Sequence, residues 1–276
     1  MAKNQSAVFK FKNLHFLFFS IQYIYMLAKE ITKTDNDLSS GENQTFKEML
    51  EARVFCGHRS SKTNPKMKPY LSGTKNNFEI IDLVKTQELL GKSAVFLEGL
   101  GQQNKTLLFV GTSPMVRDLI KEAAEKTENC YVINHWIGGF MTNFKTIFGR
   151  LRYFRDLQDK SKKGELQKYT KKEQLNFQKE IQNLSALFEG LERCEKLPEA
   201  LVIVNPKMHE AALREAQKLN IPIVAMVDTD SDPGHISYPI PASDHIRSSV
   251  SYILNKLVSS YNEGKKKAVA TTNQNQ

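Results

Sequence analysis

Cysteine, tryptophan and uninterrupted apolar runs are all scarce in this chain. Only three cysteines, Cys56, Cys130 and Cys194, occur among 276 residues. They are odd in number and form no CxxC pair, so neither a zinc site nor a disulfide framework is suggested and free thiols are expected. The nearest cysteine–histidine pairing, Cys56 with His58, is one fragment of a ligand set at most, and no metal and no cofactor are expected. No G-x-G-x-x-G and no G-x-x-x-x-G-K-[ST] is present, so the glycines that cradle nucleotide phosphates are missing. The most apolar early stretch, "LHFLFFSIQYIYMLA" from Leu14 to Ala28, is broken by His15, Ser20 and Gln22 and is too short to span a bilayer. Residues 1–28 also contain no acid, yet their cations are lysines only, which leaves the arginine-rich presequence signature incomplete. A cleaved presequence, a helix that docks on a partner and a chain made inside an organelle stay open.

What the chain does have is positive charge, with 39 Lys plus Arg against 30 Asp plus Glu, a net +9. Such a balance favours a polyanionic partner, and a membrane surface also fits. An apolar fraction of 40% supports a packed core. Residues 32–45, "TKTDNDLSSGENQT", are polar and aperiodic and read as a linker, so 1–45 form an extension and the domain proper starts near Phe46. From Phe46 to Asn77 there are 7 Lys plus Arg and 2 acids, both acids at the start. Within it "GHRSSKTNPKMKPYLSGTKNN" spreads Arg59, Lys62, Lys66, Lys68 and Lys75 among Gly, Pro, Asn and Ser without helical period. An extended basic loop of this kind suits a phosphate backbone, with Tyr70 placed to stack on a base; a plain surface loop is the alternative.

Further on, "LLFVG", "TSP", a helix from Met115 to about Lys126 and "CYVI" at Cys130 to Ile133 compose a βαβ unit. A second runs from "ALVIV" at Ala200 to Val204 through a helix from about His209 to Leu219 into "PIVAMV" at Pro222 to Val227. Two such units predict an open parallel α/β sheet, flavodoxin- or Rossmann-like, with helices on both faces. Between them, residues 144–196 have helical periodicity broken at Asp159 to Gln174, which predicts an inserted helical hairpin. From Lys145 to Lys196 it carries 13 Lys plus Arg and 8 Asp plus Glu, either a solvated surface or a binding one. The domain ends near residue 262, and 263–276 read as a polar tail.

Three short motifs raise questions of chemistry. "VGTSP", Val110 to Pro114, places Thr112 or Ser113 at an N-cap and Pro114 at the first helical position; capping explains it, while a helix N-terminus after a strand also binds phosphate. "VDTDSDP" sets Asp228, Asp230 and Asp232 after a strand, where a hard cation fits, but the turn ended by Pro233 and Gly234 is the favoured reading. In "NHWIGGFMTNFKTI", the lone Trp136 is followed by Gly138 and Gly139, a pair that suggests positive φ or a close approach. Thr142 and Asn143 suit the N-cap of a helix from Phe144.

The order of "VFCGH", "NPKMKPY", "IIDLVKT", "LLFVGT", "HWIGGFMTNFKTI", "LPEALVIVNP", "AALREAQKLNIPIVAMVDTDSDP" and "YPIP" resembles the bacterial-type S-two family of small-subunit ribosomal proteins, from about Phe46 to Leu257. The resemblance implies an open parallel α/β sheet with an inserted helical hairpin, bound at the back of the small subunit between head and body, with no catalysis. It also implies small-subunit rRNA and neighbouring ribosomal proteins as partners. Gly57, His58, Asn64, Pro65, Lys66, Met67, Pro69 and Tyr70 match its N-terminal basic motif, and Trp136, Gly138, Gly139, Thr142 and Asn143 its central signature. The RNA-binding set is therefore His58, Arg59, Lys62, Asn64, Lys66, Lys68, Tyr70 and Lys75. The family commonly has arginine where His135 stands, glycine at Arg53 and histidine at Phe55, and "IPASDHIRSS" is one residue shorter than usual around Asp244 and Arg247. Residues 1–45 have no counterpart in the typical bacterial protein. Extension and divergence together suggest an organellar ribosome, mitochondrial rather than plastid, with a bacterial cytoplasm as the alternative. Against this stand a small-molecule α/β enzyme using "VGTSP" and "VDTDSDP", and an adaptor using the aromatic N-terminal segment.

Overall fold

The computed structural model describes residues 40–274; the aromatic segment Leu14–Ala28 and most of the extension lie outside the described residues. In chain order the elements are α1 Ser40–Glu51, β1 Cys56–Arg59, β2 Leu71–Lys75, β3 Phe78–Ile81, α2 Leu83–Gln102, β4 Leu107–Val110, α3 Arg117–Thr127, β5 Cys130–Val132, α4 Phe144–Lys162, α5 Lys171–Phe188, β6 Ala200–Val204, α6 Glu210–Lys218, β7 Ile223–Val227, β8 Tyr238–Pro241 and α7 Arg247–Gln274.

Five strands pair in the order β5-β4-β6-β7-β8, every pair parallel. Strands β4, β6 and β7 are buried at each residue, as apolar runs covered on both faces must be. Leu108, Val110, Leu201, Ile203, Ala225 and Val227 join one core with Ala212 and Ala216 of α6, Trp136, Phe140, and Phe154 and Phe188 of α4 and α5. Their neighbours Leu107, Phe109, Val202, Val204, Val224 and Met226 point to the opposite face, where α2 packs on β8 and on α7. Helices α2 and α7 cross closely because Gly101 and Gly264 have no Cβ; one added at either position would overlap the carbonyl oxygen of Tyr261 or of Glu98. Helix α7 continues to Gln274, so the polar stretch after residue 262 is helical as far as that residue.

The inserted hairpin is present. Helices α4 and α5 pack on each other and are separated by residues 163–170, within the expected break. Thr170 starts α5 with a reciprocal capping box, its hydroxyl accepting from Glu173 N–H and the Glu173 carboxylate accepting from Thr170 N–H.

Three local expectations are corrected. Helix α3 begins at Arg117, and its N-cap is Val116 without a side-chain cap bond; the preceding "TSP" is a turn in which Ser113 C=O accepts from Val116 and Arg117 N–H. The basic segment is no extended loop, because β1, β2 and β3 form an antiparallel sheet of order β1-β3-β2, with short 3-10 helices at Ser60–Lys62 and Pro65–Tyr70 between β1 and β2. Finally, Cys130 and Cys194 are disulfide-bonded, with Cα atoms 6.0 Å apart. The return of the hairpin brings them together: Tyr131 N–H donates to Gly190 C=O at 3.0 Å, laying the segment after α5 beside β5. An odd count leaves one over, and Cys56 is the free cysteine, its thiol pushed up to about 11 chiefly by burial.

Candidate functional site

The glycine pair and Trp136 are organised by a residue that the sequence did not single out. Glu215 sits on α6 between Ala212 and Ala216, on the face those alanines bury, and its side chain reaches the Trp136–Asn143 loop. Its carboxylate accepts from the Trp136 indole N–H at 3.0 Å. It also accepts from the backbone N–H groups of Gly139, Met141 and Thr142 at 2.7, 2.9 and 3.2 Å, and from the Thr142 hydroxyl at 3.4 Å. Burial raises the Glu215 pKa, but this set of donors outweighs it and the net direction is down. Gly139 has φ +81, a turn of the backbone that lets the N–H groups of Gly139, Met141 and Thr142 converge on one anion while Phe140 N–H donates to Ile137 C=O. Gly138 shows neither positive φ nor a close neighbour, so the expectation holds for one glycine of the two. Asn143 is the N-cap of α4 but makes no side-chain cap bond; the Thr142 hydroxyl is spent on Glu215.

The acids of "VDTDSDP" have different principal partners, although His58 Nδ1 lies within 4.0 Å of both Asp228 and Asp230. Asp232 pairs with Lys66 at 2.6 Å and accepts from Gly234 N–H at 2.8 Å, which bears out the turn. Asp230 pairs with Lys207 at 2.9 Å. Asp228 is fully buried, with His245 Nδ1 at 2.8 Å and His58 Nδ1 at 3.2 Å from its Oδ2. Asp228 and its neighbours hold the His58 pKa above its ordinary value. Asp244, buried beside them, is pushed up to about 8 by burial and then by the charges of Asp228 and Asp230. One donor atom each from His58, Asp228, Asp244 and His245 lies within 4.8 Å of the others, a nitrogen and oxygen set of the kind a divalent cation accepts. Cys56 is not part of this cluster, and the residues that join His58 lie about 170 to 190 positions further along the chain.

Other members of the predicted RNA-binding set divide into exposed and occupied. Asn64 caps the 3-10 helix through a bond from Lys66 N–H at 3.0 Å and donates its own N–H to Thr229 C=O at 2.8 Å. Tyr70 is half-buried and packs on the core. Arg59, Lys62 and Lys68 are exposed, as is the charged end of Lys66 despite its partner; Lys75 is half-buried. The exposed aromatic of this sheet is Phe78, at 48%, a residue outside that set.

The crevice where an α/β enzyme would bind its substrate lies between the carboxyl ends of β4 and β6, where the winding of the sheet reverses. His209 lies at this end of the sheet: the side chain is buried and its Nε2 accepts from Thr112 N–H at 3.4 Å. Burial lowers its pKa to about 4. The folded state therefore holds it neutral while the unfolded chain takes up a proton near pH 6.5, so its contribution is complete above that pH and is lost as pH falls toward 4. The expected loss over that window is roughly 3 kcal/mol at most. Urea unfolding at pH 7 and pH 4.5 should show the gap between them narrow by that order in His209→Gln; an unchanged gap would exclude His209 as its source.

No helix among the described residues is long and apolar enough to cross a membrane. A family model described as Ribosomal protein S2 matches residues 49–264. The small ribosomal subunit protein uS2 of Coprothermobacter proteolyticus is 39% identical over 221 residues, covering 80% of this chain and 82% of the relative. That of Mesoplasma florum is 40% identical over 220 residues, 80% of this chain and 83% of the relative, and that of Dictyoglomus thermophilum 41% over 220, 80% and 89%. With a parallel sheet, an inserted hairpin and a Trp-Ile-Gly-Gly loop in the expected order, this chain belongs to the ribosomal protein S2 family.

Proposed function

We propose that this protein is a structural constituent of the small ribosomal subunit, holding small-subunit rRNA and neighbouring ribosomal proteins and catalysing nothing. The observation that carries the reading is the run of exposed cations from Arg59, at the end of β1, through Lys62, Lys66 and Lys68 in the 3-10 segments between β1 and β2. Phosphates are its natural ligands, since cations fix position and assembly selects the site without a sequence code. Arg59, Lys62, Lys66, Lys68 and Lys75 are assigned to those phosphates. His58, Asn64 and Tyr70 shape the surface from behind, given their internal partners.

The finer assignment is a mitochondrial ribosome, with plastid and bacterial cytoplasm as alternatives. Its support is the acid-free, aromatic stretch of residues 1–28, together with His135, Arg53 and Phe55 in place of the residues common in the family. The curated relatives named above are bacterial.

A salt-washed sucrose gradient of mitochondrial lysate, blotted for the protein and probed for small-subunit rRNA, tests both levels. Co-sedimentation with the mitochondrial subunit that survives the wash is expected. Sedimentation with another compartment's small subunit would reject only the mitochondrial assignment. A pool confined to the top of every gradient would reject the ribosomal one.

A further inference from the structure

Arg59, Ser60, Ser61, Asn76, Asn77 and Phe78 border an open cleft of about 470 Å³, within the size range of small-ligand sites. Phe78 stands directly across from Arg59 on one side and Lys75 on the other, and directly opposed residues of antiparallel strands share a face. One half-exposed ring is thus flanked by two cationic side chains. The Arg59 guanidinium lies 5.8 Å from the ring centroid, near the outer limit of cation–π contact, and leaves much of the ring open.

The lip of the cleft is held in place. Asn76 and Asn77 have φ of +50 and +65, the two left-handed residues of a tight hairpin turn. Asn77 C=O accepts from Ser60 N–H at 2.9 Å, tying the turn to the end of β1. Among the described residues, no carboxylate lines the cleft. Glu79, the next residue along β3, is buried and accepts from Thr63 and Thr74 hydroxyls at 3.2 and 2.7 Å, on the other side of the strand from Phe78.

We infer that this cleft receives one unpaired nucleobase of RNA, stacked on Phe78, with the flanking phosphates on Arg59 and Lys75 and the base edge facing the side-chain amides of Asn76 and Asn77. The inference rests on the ribosomal reading above and names the part of the RNA that this sheet takes. An exposed aromatic beside cations and side-chain amides is the combination that single-stranded RNA uses: a π-face for the base, donors and acceptors for its edge, charge for its backbone. A peptide would need an apolar socket or a strand edge. Phe78 lies on the central strand of its sheet, where no edge is free.

The test uses the full chain and a labelled nine-nucleotide single-stranded RNA carrying 2-aminopurine, whose emission is quenched by stacking. Binding with quenching is expected for the native protein. Phe78→Val keeps a strand-forming residue and should weaken binding about tenfold to hundredfold with the salt slope unchanged, since a base and not a phosphate is lost. Phe78→Tyr should bind within about twofold of native and quench as native does. No quenching by the native chain, or equal affinity of Phe78→Val and native, would overturn the inference. Sedimentation of native and Phe78→Val chains with the small subunit is read in parallel. A chain that sediments normally but shows neither effect rejects the cleft alone, whereas a native chain that fails to sediment rejects the ribosomal reading.

Discussion

Replacing Glu215 with alanine should unfold the Trp136–Asn143 loop and cost roughly 4 kcal/mol or more. The indole N–H of Trp136 and the backbone N–H groups of Gly139, Met141 and Thr142 all end on that one carboxylate; the Trp136 and Met141 bonds are buried, and each buried donor left without a partner costs about 1–3 kcal/mol, the part-buried pair adding less. That is a large share of the ~5–15 kcal/mol that holds a typical domain together. Glu215→Gln is the milder variant. It keeps the shape but removes the charge and turns an amide N–H2 toward groups that are themselves donors, a loss of about 2–3 kcal/mol and a melting point lower by roughly 5–10 °C. Trp136 is the only tryptophan, so its emission should shift to the red in the alanine variant as the ring meets water. The sign with pH follows from the lowered pKa of Glu215: its stabilisation is present above the unfolded carboxylate pKa and is lost as pH falls below it. A glutamine variant as stable as the native chain would mean that the loop is held by ring packing alone, Trp136 against Phe140.

Glu215 also marks where sequence legibility ended. The parallel sheet could be read because β4, β6 and β7 are buried on both faces and so appear as unbroken apolar runs. The hairpin could be read because its helices keep their period and its tip does not. The β1–β3 sheet left no such trace. Strand β2, "LSGTK", is exposed at its three central residues, and register shifts interrupt both pairings, so no period of two survives to be seen. A trace of Glu215 did exist, since an acid at position 215 shares the helix face of Ala212 and Ala216. Its partners, 73 to 79 residues earlier, were invisible to any local pattern. The same holds for the acids after β7, whose cations Lys66 and Lys207 arrive by tertiary folding. Burial is the other thing composition does not carry: Tyr70 precedes β2 and packs partly on the core, while Phe78 opens β3 and is half-exposed.

Changing Arg59, Lys62 and Lys68 together to glutamine should weaken binding of the protein to small-subunit rRNA about a hundredfold. These three are exposed, whereas Lys66 is already paired with Asp232 at 2.6 Å, so its removal would disturb the fold as well as the charge. At about 1 kcal/mol for each cation brought to an anionic surface, the triple variant loses ~3 kcal/mol, roughly two decades in affinity. Counterion release supplies a sharper readout. Each phosphate contact removed should lower the slope of log K against log salt by roughly 1, so the triple variant should be shallower by roughly 3. Filter binding from 50 to 300 mM salt measures both quantities. Loss of affinity with an unchanged slope would show that these residues act through folding or through a neighbouring protein, and an unchanged affinity would move the phosphate contacts to the cationic helical hairpin. The effect should also be distinguishable from that of Phe78→Val, because a lost stacking partner lowers affinity without touching the slope. Position-setting charge and base stacking are thereby separable within the one segment that runs from β1 to β3.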